Sequence, residues 1–464
     1  MESEHGLKRV LSKRDVFVLA FGAMIGWGWI IQTGYWIDEA GALGSILAFV
    51  LGGVLVGTVG IIYGELASAM PYVGGEHAYS LRALGPVGSF VCTWAIVLGY
   101  VSVVAFEAVA LPSALAYLVP GFDSLELWRV AGEPVYGTWV AVGLLASIAM
   151  TYMNYVGVRP AAQVQAVLTV VIALAGVTLV AGGAANGAPT GDASFADAGL
   201  AGVFTVALMT PFMFVGFDVI PQAAEEADMS SKYLAYLLLA AVACAALFYI
   251  AVIWAAGRAL PGAALVESPL PAAAAMSALF GSVTVGRIMA LAGVAGILTS
   301  WNAFIIGGSR AVFALAESGM LPSRLARLHP EHGTPTNAVL LVGGTAAFAP
   351  LFGEEMLVWV VNAGGLGIVV AWLFVVISFL VLRYREPEME RPLRIPGGYA
   401  VGAFGLLITL FFVTLYLPGG ESALAWPYEW LIIGAWTVLG VVLFAISDGA
   451  SAEVEPSVTP TDEG

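Results

Sequence analysis

Charge is what this sequence has least of. Only 11% of its 464 residues are Asp, Glu, Lys or Arg, against about 25% in a soluble domain. Lysine is almost missing, with Lys8, Lys13 and Lys232 alone. No basic stripe is available for nucleic acid. The two cysteines, Cys92 and Cys244, fall in different apolar runs and offer neither a disulfide framework nor a zinc site. Four histidines, His5, His77, His329 and His332, sit in polar segments. His329 and His332 make a short His-x-x-His with no further ligand nearby. With no Ser/His/Asp set and no metal cluster inside the apolar runs, an enzyme is excluded. The N-terminus, MESEHGLKRVLSKRD, lacks the short apolar core and small-residue cleavage site of a signal peptide, so the first apolar run is expected to direct insertion.

Hydrophobic residues, by contrast, make up 60% of the chain, and mean hydropathy is +0.92. Runs of about 20 apolar residues recur from end to end, each long enough to cross a bilayer as a helix. The expected fold is an all-α polytopic membrane protein. Twelve spans are predicted, near 15–37, 43–66, 87–118, 136–156, 161–182, 200–226, 233–257, 284–315, 336–352, 355–382, 399–418 and 428–447. Residues 267–287 are apolar but rich in Ala and broken by Pro, and are read as a short external helix. With the N-terminus inside, 14 of the 17 Lys and Arg residues fall on the cytoplasmic side and 3 outside. That bias predicts a multi-pass cell-membrane protein with both termini cytoplasmic. The net charge of −15 and the tail at 448–464, expected to be disordered, suit either a high-salt habitat or an ordinary acidic tail.

Two spans are interrupted. The first contains FGAMIGWGWIIQTG, with Gly22, Gly26, Gly28 and Gly34. The sixth contains Pro211, Gly216 and Pro221, with Asp218 at mid-span. Proline removes a helical hydrogen bond and glycine loosens the backbone. The breaks are five spans apart, an odd number, so a second five-span unit lies upside down relative to the first. This predicts a 5+5 inverted repeat with discontinuous helices one and six. The units are a cytoplasmic N-terminus at 1–14, repeats at 15–182 and 200–382, and two appended spans within 399–447. Broken helices expose amides at Gly26 to Trp29 that suit a carboxylate. Carbonyls near Gly22 to Ile25 and Phe212 to Val215 suit a cation or an ammonium. The competing reading is close helix packing, since Gly22 and Gly26 form a G-x-x-x-G pattern.

Several longer motifs carry a resemblance. GAMIGWGWI, YGELASAMPYVGGEHAYSLRALGP, VGFDVIPQAAEEADMS with Glu225 and Glu226, GGSRAVFALAESGMLP followed by HGTPTNAV, and LRYREPEMERPLRIP together resemble the amino acid–polyamine–organocation permease superfamily, with its leucine-transporter fold. The similarity runs to about Ile446. Two positions depart from the pattern: Trp27 stands where a small residue is usual, and Met229-Ser230 replaces a frequent Asn-Pro.

The resemblance implies a secondary transporter of an amino acid or related organic amine, with substrate held between spans one and six by Ile25, Gly26, Trp27, Gly28, Val215 and Gly216. It places Phe212, Phe214 and Phe217 at the span-six break as a cover or gate. Val104 and the neighbouring Glu107 belong to the site-lining region of span three. Trp301 and Phe304 lie one turn apart on span eight. Intramembrane acids are usually functional, and Glu107 and Asp218 are open to three roles: binding a substrate cation, carrying a proton, or structural pairing. Glu65 fits loop packing or a gate. For the coupling ion, Ile172 stands where some proton-coupled relatives carry lysine. Gly22, Ile25, Thr299, Ser300 and Asn302 supply oxygen donors for sodium, so sodium and proton both stay open, as does exchange without an ion. The alternatives are a polyamine or cationic-amine transporter and a non-transporting nutrient sensor. The expected partners are a small-molecule substrate and the lipid bilayer; oligomeric state is not assigned.

Overall fold

The computed structural model describes residues 9–188, 199–354, 356–419 and 423–447. Lys8 and the tail at 448–464 lie outside the described residues. The architecture is helical throughout, save one short hairpin.

The first helix, α1 (Lys13–Met24), starts on a capping box: the Asp15 amide donates to Ser12 Oγ, and the Ser12 amide donates back to Asp15 Oδ2 at 3.0 Å. It ends at Ile25, and helix resumes as α2 (Gly28–Ala69). That helix carries a kink at Gly41 (φ 68°, ψ 166°), so the second half of span one and all of span two form one bent rod. Next, α3 (Glu76–Leu118) bends at Gly85 (φ 76°), just before Pro86. Its first turns are therefore a loop helix laid against the bundle and its remainder a long span. A hairpin of β1 (Glu126–Val130) and β2 (Glu133–Tyr136) follows, which the sequence reading did not anticipate.

The chain continues through α4 (Gly137–Val156), α5 (Val158–Asn186), α6 (Gly199–Phe214), the four-residue α7 (Val219–Gln222) and α8 (Ser231–Gly257). Residues 267–287 contribute α10 (Pro271–Phe280), preceded by the short α9 (Gly262–Val266). At ten residues α10 is about 15 Å long and cannot cross a bilayer. The last five helices are α11 (Val283–Glu317), α12 (Thr336–Ala346), α13 (Met356–Arg385), α14 (Gly398–Tyr416) and α15 (Tyr428–Ile446).

Among the described residues ten helices are long and apolar enough to cross a membrane. The difference from twelve predicted spans has two sources. Spans one and two share the continuous α1–α2 stretch, and span nine is split into α12 and a 3-10 turn at Ala349–Phe352. Large apolar side chains such as Leu145, Leu247, Leu407 and Val438 are over 60% exposed. On a water-soluble protein such a surface would aggregate; around a helical bundle it is the lipid face. The core lies where α2 packs on α6 and α8, and α3 on α11 and α13. This brings both interrupted helices to the centre.

Polar ties close one end of the bundle. Glu65, fully buried near the end of α2, accepts from Arg383, pairs with Arg391 at 3.1 Å and takes the Ile395 amide at 2.8 Å. Arg310 of α11, 1% exposed, forks onto Glu226, with Nε to Oε1 at 2.6 Å. The Val10 and Leu11 amides both reach the Glu226 carbonyl at 2.9 Å, so the N-terminal segment is pinned beside the same pair.

Candidate binding site at two helix breaks

The two interruptions touch. At the first, residues 25–27 lie between α1 and α2. At the second, residues 215–218 lie between α6 and α7. Gly216 has φ +131°, a conformation few side-chain-bearing residues adopt. A Cβ there would also fall 2.7 Å from the Ala23 Cβ and 3.2 Å from the Met24 nitrogen. Glycine is therefore needed twice over, for its backbone angle and for the contact between the breaks.

Specific donors then occupy the freed backbone groups. Tyr249 of α8 places its hydroxyl 2.6 Å from the Met24 carbonyl and 3.0 Å from the Met213 carbonyl. One O–H thus serves the last turn of both broken helices. The Gly22 carbonyl accepts from Thr299 Oγ1 at 3.1 Å, and the Ile25 carbonyl from Trp29 Nε1 at 3.2 Å. At the second break the Gly216 amide donates to Asp218 Oδ1 at 3.0 Å, while Trp372 of α13 donates to Oδ2 at 3.2 Å.

A narrow cavity opens between the breaks. From the first break it takes Ala23, Met24, Gly26, Trp27 and Gly28. The facing turns of α3 add Val103, Phe106 and Glu107, and α6 adds Phe212 and Met213. Tyr249, Ser300 and Phe304 complete the wall. Gly26 does two jobs here. It lines the cavity, and it lets α11 approach: a Cβ would lie 2.6 Å from Ser300 Oγ. The Trp27 ring is fully buried and packs where Gly293 of α11 leaves room for it. Glu107, 2% exposed, accepts from the Ser300 hydroxyl through Oε1, while its Oε2 has no partner. Trp27 Nε1 has none either.

Of the residues singled out from sequence, Gly26, Trp27, Gly28, Glu107, Phe212, Ser300 and Phe304 meet at this cavity. The rest are buried nearby but do not line it. Phe214 packs against Phe49 at a tilt and edge-on to Tyr249. Phe217 lies between Tyr63 and Trp372, at 5.5 and 5.4 Å between ring centroids, beside Asp218. Ile25, Val104, Val215 and Trp301 are core positions. Of the five candidate sodium donors, Thr299 and Ser300 share the Gly296 carbonyl, at 2.8 and 3.0 Å. Gly22 and Thr299 are paired, Ile25 bonds Trp29, and Ser300 faces Glu107. Asn302 joins a separate network, accepting from Asn154 Nδ2 at 3.0 Å and donating to Gln165 Oε1 at 3.0 Å. Among the described residues no group of three His, Cys, Asp or Glu side chains is placed to hold a metal.

Met24 and Met213 fall within the carbonyl runs named from sequence, whereas Tyr249, Phe106 and Val103 were not anticipated. A tyrosine in ALFYIAVI looks like any aromatic in a membrane helix, and nothing local tells that its hydroxyl reaches two other helices. The only available signal was general: a buried tyrosine hydroxyl usually finds an acceptor.

A family model described as amino acid permease matches residues 11–442. The branched-chain amino acid permease BcaP of Bacillus subtilis (strain 168) is 26% identical over 93% of this chain and 92% of its own. The methylthioribose transporter of the same organism is 27% identical over 94% and 93%. Cationic amino acid transporter 9, chloroplastic, of Arabidopsis thaliana is 30% identical over 71% of this chain and 58% of its own length.

Proposed function

The chain belongs to the amino acid permease family, and from that premise we propose that it moves an amino acid or related organic amine, bound in the cavity between the two breaks. Family membership makes it a membrane permease rather than an enzyme. The finer reading is alternating access. One bundle of helices rocks against the other around the midplane site, with twelve spans in all and both termini in the cytoplasm.

One observation carries the substrate class. Of the polar side chains that line the cavity, Glu107 and Trp27 each keep one buried atom without a partner, Oε2 and Nε1. The first is an acceptor that suits an ammonium group, and the second a donor that suits a carboxylate. Leaving such groups unmade costs about 1–3 kcal/mol each, so a ligand that satisfies both gains what the empty site lacks. A zwitterion has both ends. The relatives named above differ in what their names say they carry, so the side chain of the substrate is not assigned.

A thermal-shift screen of amino acids and amines, with and without sodium, identifies ligands, because binding to the folded state raises stability by mass action. Uptake of the strongest hit into proteoliposomes then tests transport; binding without accumulation marks a sensor. The alternative of a polyamine or other cationic amine rests on the free oxygen of Glu107. Under it, Glu107→Gln weakens cationic substrates and spares neutral ones, and equal loss of both counts against it.

A further inference from the structure

A second buried polar cluster lies beyond the Asp218 break, outside the cavity. The Gly74-Gly75 turn before α3 lies flat on α7. The Gly74 amide faces the Gln222 carbonyl at 3.4 Å, and a Cβ on Gly75 would come 2.9 Å from the Pro221 Cβ. This holds Glu76 against Gln222, and Gln222 Nε2 donates to Glu76 Oε1 at 2.6 Å. Both side chains are fully buried. The other oxygen of each, Glu76 Oε2 and Gln222 Oε1, has no partner. No ion pair among the described residues includes Glu76. The ionisable groups that face it are Tyr63 from α2, Tyr79, Cys92 and Tyr100 from α3, and Asp218 from the break. None of these is a cation. An ionised Glu76 would be a buried, uncompensated charge.

We propose that Glu76 is a proton-binding site: one proton on Oε2 donates to Gln222 Oε1, closing a reciprocal acid–amide pair that latches the loop helix of α3 to α7. A single proton satisfies both orphaned atoms and removes the buried charge. The proton comes from water onto the carboxylate oxygen and returns to water on the same side when α7 and the loop helix part. Opening that end of the bundle then releases a proton, which couples movement of the break to the pH of that side. This coupling rests on the transporter reading; the protonation of Glu76 does not.

Two measurements separate these. In purified full-length protein at neutral pH, infrared difference spectra of wild type against Glu76→Gln show loss of a protonated-carboxyl carbonyl band. The exchange Glu76→Gln with Gln222→Glu restores the acid–amide pair and the band. Absence of any such band sensitive to Glu76→Gln overturns the proposal, whether or not a substrate is moved. In proteoliposomes, release of one proton on opening shifts the open population by up to about tenfold per pH unit on the side that opens. Counterflow follows the pH of that side in wild type; the dependence is lost in Glu76→Gln, and the double exchange recovers it. A merely structural latch would be preserved by Glu76→Gln, whose amide still pairs with Gln222. A pH dependence of counterflow equal to wild type in that variant overturns the coupling. Absence of uptake and counterflow in wild type instead defeats the transporter reading, and leaves the infrared result standing.

Discussion

Tyr249→Phe isolates a single atom. The ring is held by neighbours that do not need the hydroxyl: Phe49 at 4.9 Å between centroids, Phe214 at 5.3 Å and Trp36 at 6.2 Å. Phenylalanine therefore keeps the packing and removes only the donor between the Met24 and Met213 carbonyls. One net hydrogen bond is worth about 1 kcal/mol, and buried acceptors stripped of their donor cost about 1–3 kcal/mol. A loss of about 2 kcal/mol is expected. For a chain of 464 residues, an unfolding entropy near 2 cal/mol/K per residue turns that into a fall of about 2 °C in the thermal midpoint. The effect on ligand binding is larger in relative terms. If the two breaks must be joined for the site to exist, affinity for the strongest screened ligand falls by up to about 30-fold, because the competent fraction shrinks. Midpoints in detergent and direct binding measure both. Wild-type affinity in Tyr249→Phe would refute the claim that this hydroxyl shapes the site.

Three further outcomes are expected. Trp27→Ser removes a ring that both walls the cavity and fills the space beside Gly293, so stability drops by about 3 kcal/mol while bulkier ligands compete in a binding panel. Arg310→Ala leaves Glu226 charged, buried and alone, costing about 3–5 kcal/mol by thermal unfolding; replacing both by methionine recovers most of it. Glu225 lies past α7, beyond the apolar stretch Gly199–Gln222 at which the structure ends the sixth span, and burial pushes its carboxyl above the ordinary range, against the Val73 amide that donates to it at 3.0 Å. An acid raised in the folded state contributes stability that is full below its ordinary range and lost as pH rises through the folded value. Glu225→Gln should therefore flatten the acid-side rise in thermal midpoint.

The sequence was most legible where chemistry is local. Gly-Trp-Gly inside an apolar run, and Pro and Gly around Asp218, mark broken helices without reference to any partner. Glu107 stands out because a carboxylate in a membrane span is costly. What stayed hidden was relational. Tyr249 matters through carbonyls 225 and 36 residues away, and Glu76 through Gln222, 146 residues on. His77 read as a polar-loop residue, yet it is 5% exposed and sits 3.0 Å from Ser89 Oγ. The Gly85 bend folds its helix back on the bundle, and no periodicity announces that. Asp218 read as open to substrate binding, proton carriage or structural pairing, and sequence could not name its partners: the Gly216 amide on one oxygen and Trp372 on the other.

Irregular backbone at membrane depth survives only where protein or a water-lined space satisfies it. The partners at the two breaks are consistent with that demand, and they come from three other helices and the break itself: Tyr249 from α8, Thr299 from α11, Trp372 from α13, and Asp218 from the break. A break held this way is rigid while those donors stay in register and loosens when they shift together. Any movement that separates α7 from its neighbours must strip Asp218 from Trp372 and Glu76 from Gln222 in the same step. The break and the latch beyond it are then one mechanical unit. Substitutions at Trp372 and Glu76 should accordingly be non-additive in their effect on stability, with a coupling of about 0.5–3 kcal/mol in a double-mutant cycle, whereas two independent contacts would add.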